Sequence, residues 1–162
     1  MARVAFVTGG TRGIGRAICE RLKADGMLVA AGYSGNEAAA AACAQELGVM
    51  VVKGNVGVYE DCARAAEAVA AELGPIDVLV NNAGMSPVYD DLTSVTEDLY
   101  DKVQAVNARG PFRLSALFGT AMAEADGGSI INVTSAGTLR PDTHDLPYVM
   151  AKAGLNALTL AL

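Results

Sequence analysis

The chain has 162 residues, 52% hydrophobic and 19% charged, with a net charge of −6. That length fits one domain, residues 1–162, with a core of its own, and the composition is globular rather than disordered. An acidic balance without a basic run argues against nucleic acid or an anionic membrane as partner, no apolar stretch is long enough to span a membrane, and a single histidine excludes a His-based metal cluster.

In chain order, an apolar run from Arg3 to Val7 reads as a first strand. A start this close to a strand leaves no room for a signal peptide, so a cytoplasmic protein is expected. The run enters Thr8-Gly9-Gly10-Thr11-Arg12-Gly13-Ile14-Gly15, and a helix is predicted from Ile14 to Ala24, with Ile14, Ile18 and Leu22 on its apolar face. Met27 to Tyr33 reads as a strand covered on both faces, Asn36 to Leu47 as an alanine-rich helix ended by Gly48, and Val49 to Val52 as a short strand closed by Gly54-Asn55. Tyr59 to Leu73 is a helix stopped by Gly74-Pro75, and Ile76 to Val80 a strand that runs into Asn81-Asn82-Ala83-Gly84. A polar loop near Asp90-Asp91 precedes a helical pattern over Thr96 to Val106, which Pro111 to Ala123 continues or restarts. Ser129 to Val133 is the fifth strand, expected to be buried, which argues against the glycosylation pattern at Asn132-Val133-Thr134. A loop carrying His144, read as solvated, leads to Pro147 in the first turn of a last helix. Cys19, Cys43 and Cys62 lie far apart in helical patterns and read as buried or half-buried thiols of a reducing compartment.

Strands alternating with helices predict a doubly wound parallel α/β sheet with the first strand near the middle and ligands at the carboxyl ends of the strands. Thr8 to Gly15, Ser34, Asn55, Asn81 to Gly84 and Ser135 all fall at that edge. Glycines Gly9, Gly13 and Gly15 between a strand and a helix allow positive φ and let a phosphate approach the main chain, where the first free N–H groups of the helix point at it. A glycine cluster alone also makes ligand-free turns; its place here favours a dinucleotide.

Tyr148 and Lys152 stand four apart at the start of the last helix and share a face. An ammonium beside a phenol favours the phenolate, so the pair makes a tunable acid/base unit. In isolation the same spacing is also an ordinary half-exposed helix pair.

These motifs together resemble the short-chain dehydrogenase/reductase family along the whole chain. Thr8-Gly9 to Gly15 is similar to its T-G-x-x-x-G-x-G, Asn81-Asn82-Ala83-Gly84 to its N-N-A-G, and Tyr148-Val-Met-Ala-Lys152 to its Y-x-x-x-K. Ser135 stands thirteen residues before Tyr148, and Asn107 falls at the family's asparagine. The resemblance implies a Rossmann fold and an NADP(H)-dependent ketoreductase of 3-oxoacyl thioesters or related carbonyl compounds. In it Tyr148 acts as general acid, Lys152 lowers its pKa and binds the nicotinamide ribose, Ser135 orients the carbonyl, and Asn107 holds a relay water. Gly9, Thr11, Arg12, Gly13, Ile14, Gly15, Tyr33, Ser34, Asn55, Val56, Asn82, Ala83 and Gly84 would line the cofactor, together with Tyr148 and Lys152.

Asn55 replaces the family's usual aspartate and keeps a carbonyl acceptor for the adenine amino group. The end of the second strand, Ala31 to Gly35, has no carboxylate, and Arg12 can reach a 2′-phosphate, so NADP is expected over NAD. A non-catalytic NADP(H)-binding redox sensor, or an alcohol or sugar dehydrogenase of the same family, are the competing readings; the presence of Asn107, Ser135, Tyr148 and Lys152 together favours an enzyme. The pattern stops inside the apolar series Leu155, Leu158, Leu162, which predicts a chain cut within a helix, short of two further strands and a substrate lid and prone to aggregate. Apolar residues on two sides of Pro111–Ala123 and Pro147–Leu162 predict a homodimer or homotetramer.

Overall fold

The computed structural model describes residues 2–162. Its strands are β1 (Val4–Val7), β2 (Leu28–Tyr33), β3 (Met50–Lys53), β4 (Val78–Asn81) and β5 (Ser129–Asn132), all parallel, in the spatial order β3-β2-β1-β4-β5. Parallel neighbours need long crossovers, and these are the helices α1 (Gly13–Ala24), α2 (Glu37–Leu47), α3 (Tyr59–Leu73), α4 (Glu97–Gln104) with α5 (Gly110–Glu124), and α6 (Leu146–Ala161), which follows β5. The predicted doubly wound sheet is present, with the first strand at its centre.

Alternation along the strands divides the core in two. Val4, Phe6, Ala30, Val52 and Leu79 face α3 and α5, where Phe6 and Phe118 meet edge to face with centroids 6.0 Å apart. Ala5, Val7, Val29, Ala31 and Val80 face α1 and α2 through Cys19 and Cys43. Both clusters run the length of the sheet, so the loops at its carboxyl edge stand on a rigid base.

Helix ends follow their cap chemistry. Asn36 accepts from the Ala39 N–H and Thr96 from the Leu99 N–H, while Gly48 closes α2 in the left-handed conformation. Cys19, Cys43 and Cys62 are buried free thiols. Burial raises the pKa of all three, that of Cys19 to about 12.

Two expectations need correction, the place of Ile14 and the burial of β5. Ile14 does not join Ile18 and Leu22 against the sheet; it is 68% exposed. It sits in the first turn of α1, beside the glycine turn, where close packing is made by Gly15 and Cys19 instead. Of the two alternatives for Pro111 to Ala123, continuation is the one observed: the backbone stays right-handed helical from α4 through a π turn, Ala105–Arg109, into α5. β5 is not a buried strand. Among the described residues it pairs with β4 alone, Ile131 is 49% exposed, and Asn132 is half-buried. Along the expected apolar faces, Leu117 of α5 is partly exposed and Leu162 is exposed, whereas Leu114, Phe118 and Leu155 are buried.

Candidate functional site

The carboxyl ends of β1, β2, β3 and β4 open into a cleft of about 740 Å³. All the residues from Gly9 to Gly84 singled out from the sequence as cofactor contacts line it: Gly9, Thr11, Arg12, Gly13, Ile14 and Gly15 after β1, Tyr33 and Ser34 after β2, Asn55 and Val56 after β3, and Asn82, Ala83 and Gly84 after β4. Ile14, expected both on the apolar face of α1 and beside the cofactor, is on the rim.

The glycine turn is built for close approach. Gly9 and Gly13 have φ of 63° and 53°, the left-handed region that a side chain disfavours. A Cβ on Gly15 would overlap the Gly9 carbonyl oxygen. Arg12 occupies the cap position of α1 without a side-chain cap, and the first turn of α1 holds no acidic residue. The leading N–H groups of α1 therefore face the cleft without a competing carboxylate, and these residues fit the diphosphate of a dinucleotide. Arg12 is exposed and makes no ion pair among the described residues.

Asn82 supports the turn from behind. Its carboxamide donates to the carbonyl oxygens of Thr8 at 2.9 Å and Gly9 at 3.2 Å. The backbone N–H groups of Asn82 and Ala83 both donate to the Thr8 hydroxyl at 3.0 Å. Expected as a cofactor contact, the Asn82 side chain is thus spent on the turn itself. Asn55 is similarly engaged: its carboxamide oxygen accepts from the Gly57 N–H at 2.9 Å, and its own N–H donates to Asp61 at 2.7 Å. That N–H bond and then Arg64 hold the Asp61 carboxyl below its usual range.

Two groups near the end of β2, Glu37 and Lys53, escaped the sequence reading. Glu37, in the first turn of α2, accepts from the Tyr33 hydroxyl at 2.7 Å and from Lys53 at 2.6 Å. Tyr33 and Lys53 are directly paired across β2 and β3, which sets the two donors side by side. Lys53, then Tyr33, lower the Glu37 pKa. A carboxylate does stand near the end of β2, neutralised by a lysine. The only sequence signal was the spacing of Tyr33 and Glu37, four apart across a cap.

Beyond Gly84 lie the four residues of the acid/base reading. Asn107, fully buried in the π turn, donates to the Met85 and Val103 carbonyl oxygens at 2.8 and 2.9 Å and accepts from the Met85 N–H at 3.2 Å. An extra residue in a helical turn re-aims one side chain, and here it turns Asn107 onto the loop after β4. Lys152, 2% exposed, donates to the Val133 carbonyl oxygen at 2.7 Å. Its burial lowers its pKa. Its ammonium lies 5.7 Å from the centroid of the Tyr148 ring. A Cβ on Gly84 would come within 2.9 Å of the Asn107 carboxamide oxygen and 3.6 Å of the Lys152 ammonium, so both groups meet at that glycine. Ser135 accepts from the Gly137 N–H at 3.1 Å, which leaves its hydroxyl proton free to donate. His144 is exposed and paired with Asp142 at 2.6 Å. Asp90 is exposed and Asp91 caps the short turn Leu92–Ser94.

A five-stranded parallel sheet with a glycine turn after its central strand, an Asn-Asn-Ala-Gly segment beside it and a Tyr-x-x-x-Lys helix defines a class of nucleotide-dependent oxidoreductase. Residues 3–162 match the family described as short chain dehydrogenase, and the chain belongs to it. It is similar to the acetoacetyl-CoA reductase of Rhizobium meliloti, 41% identical over 163 residues, which cover all of this chain and 67% of that protein. Among solved structures it resembles a blue fluorescent protein from a metagenomic library in complex with NADPH (TM-score 0.90, 37% identity, 98% of this chain and 67% of that one). A metagenomic short-chain oxidoreductase in complex with NADP is likewise similar (TM-score 0.92, 32% identity, 98% and 74%). No helix among the described residues is long and apolar enough to cross a membrane.

Proposed function

We propose that this protein reduces the 3-oxo group of an acyl thioester to a secondary alcohol, with NADPH as reductant. The observation that carries the reading is the meeting of Lys152 and Asn107 at Gly84, where the glycine-turn cleft ends, with the Tyr148 ring beside the buried ammonium. The nicotinamide cofactor, when bound, supplies the hydride. The rest of the chemistry falls to the chain. The leading N–H groups of α1 hold the diphosphate, and Arg12 meets the 2′-phosphate. Ser135 donates to the carbonyl oxygen of the substrate and stabilises the charge that develops there. Tyr148 hands that oxygen its phenolic proton, and the Lys152 ammonium favours the phenolate left behind. Asn107 fixes the Met85 main chain and so keeps Gly84 in place. The thioester class follows the acetoacetyl-CoA reductases that this chain resembles.

The test is NADPH oxidation driven by acetoacetyl-CoA, run on the parent and on Tyr148→Phe. Turnover in the parent, lost by at least about a hundredfold in the variant with NADPH affinity kept, is the expected result. A parent that binds NADPH but reduces no 3-oxoacyl thioester would favour a redox sensor instead.

A further inference from the structure

The start of α6 has an unusual cap. Asp145 holds the cap position, but its side chain bonds none of the helix N–H groups, and Pro147 in the first turn has no N–H. The Leu146 N–H is the first donor that this helix end must satisfy. Its acceptor comes from 57 residues away: the Tyr89 hydroxyl, at 2.8 Å. The same hydroxyl donates to the Thr143 carbonyl oxygen at 2.7 Å. A phenol has one proton and free lone pairs, so it makes both bonds at once, whereas a phenylalanine makes neither. The two bonds straddle His144 and Asp145. They tie the last loop before α6 to the loop that leaves Asn81-Asn82-Ala83-Gly84, and Tyr148 follows Leu146 by two residues.

We propose that Tyr89 is a positioning residue: its hydroxyl caps α6 in place of Asp145 and so fixes where the Tyr148 phenol stands relative to Gly84 and Lys152. Tyr89 touches no reacting atom; it acts through the helix start. Proton transfer tolerates little displacement, since a shift of about 1 Å costs on the order of a hundredfold. The inference rests on the reading of Tyr148 as proton donor, but the contact itself can be tested without turnover.

The experiment compares the parent with Tyr89→Phe, which keeps the ring, and runs Tyr148→Phe alongside. Amide exchange at Leu146 should accelerate by about tenfold in Tyr89→Phe. The Tyr148 ring resonances should shift. In acetoacetyl-CoA reduction kcat should fall by about tenfold while NADPH affinity stays within about twofold, because the glycine turn is untouched. Unchanged Leu146 exchange, or unchanged Tyr148 resonances, would overturn the proposal whatever the activity. Disturbed resonances with parental kcat, in a protein that Tyr148→Phe inactivates, would also overturn it. Equal activity in the parent and Tyr148→Phe would instead count against the reductase reading and leave the resonance test of Tyr89 standing.

Discussion

Lys152 donates to the Val133 carbonyl oxygen across 2.7 Å and, with 2% of its surface exposed, has no carboxylate partner among the described residues. A buried ammonium held by one neutral acceptor is a cost in the folded state. Such a cost is in keeping with the role proposed for the charge beside Tyr148, since stability is commonly given up at functional sites.

The pH dependence of that cost has a definite sign. Burial puts the folded pKa of Lys152 below its unfolded value. Between the two values the unfolded chain holds the extra proton, so stability rises with pH there, and the charge is most costly below the folded pKa. Lys152→Met keeps the stem and removes the charge. In cofactor-free protein it should be more stable than the parent by about 1 kcal/mol at neutral pH, and the gap should close as alkaline pH deprotonates the parent. Denaturant unfolding across a pH series checks it; a gap that widens with pH would contradict the assignment. The same variant should lose both turnover and cofactor affinity.

Arg12 should select the cofactor. A charge-assisted bond to the 2′-phosphate is worth about 1.5–3 kcal/mol, so Arg12→Ala should weaken NADPH binding by roughly ten- to a hundredfold and leave NADH nearly unchanged. Calorimetric titration of both cofactors reads this directly. Tighter NADH than NADPH binding by the parent would end the idea.

Lys53 should act on the same choice through Glu37. Its ammonium offsets the charge of Glu37 in the first turn of α2, where Tyr33 adds a hydrogen bond. The pair is exposed, so its removal should hardly move stability. Lys53→Met leaves the carboxylate uncompensated beside Tyr33 and Asn36, which line the cleft, and should weaken NADPH several-fold relative to NADH. Lys53→Met combined with Glu37→Gln should restore the parental ratio; failure to restore it would show that Glu37 is not the route.

What was legible in the sequence was whatever rests on local chemistry. Gly9 and Gly13 announce a turn because their left-handed backbone disfavours a side chain, Gly15 because a Cβ there would overlap the Gly9 carbonyl oxygen, and the β-branched runs announce a covered sheet. Ile14 misled because a helical period says which residues share a face and not which face meets the sheet; the first turn of α1 looks into the cleft. The π turn at Asn107 was hidden since one extra residue hardly disturbs a 3.6-residue pattern. Glu37 and Tyr89 were out of reach for another reason. Tyr89 bonds across 57 residues and Glu37 reaches Lys53 across 16, and no periodicity encodes such bonds.

Self-association is the remaining prediction. On α6 the exposed residues Met150, Ala153, Ala157 and Leu160 recur at i, i+3, i+7 and i+10, an uncharged stripe on the side away from the buried Lys152 and Leu155. On α5 Phe112, Ala116 and Leu117 are exposed and equally uncharged, while Leu114 and Phe118 fill the core. α5 packs against α6, so the two stripes belong to neighbouring helices. Contiguous apolar surface of this kind is seldom left to water, and an isologous contact lets two copies cover it at once. The protein should therefore run as a dimer or tetramer in light scattering. Ala157→Glu places a charge in the stripe without touching the core and should shift the population toward monomer, with folded-state circular dichroism unchanged. A parent that is monomeric and monodisperse at micromolar concentration would show that these faces are not an interface.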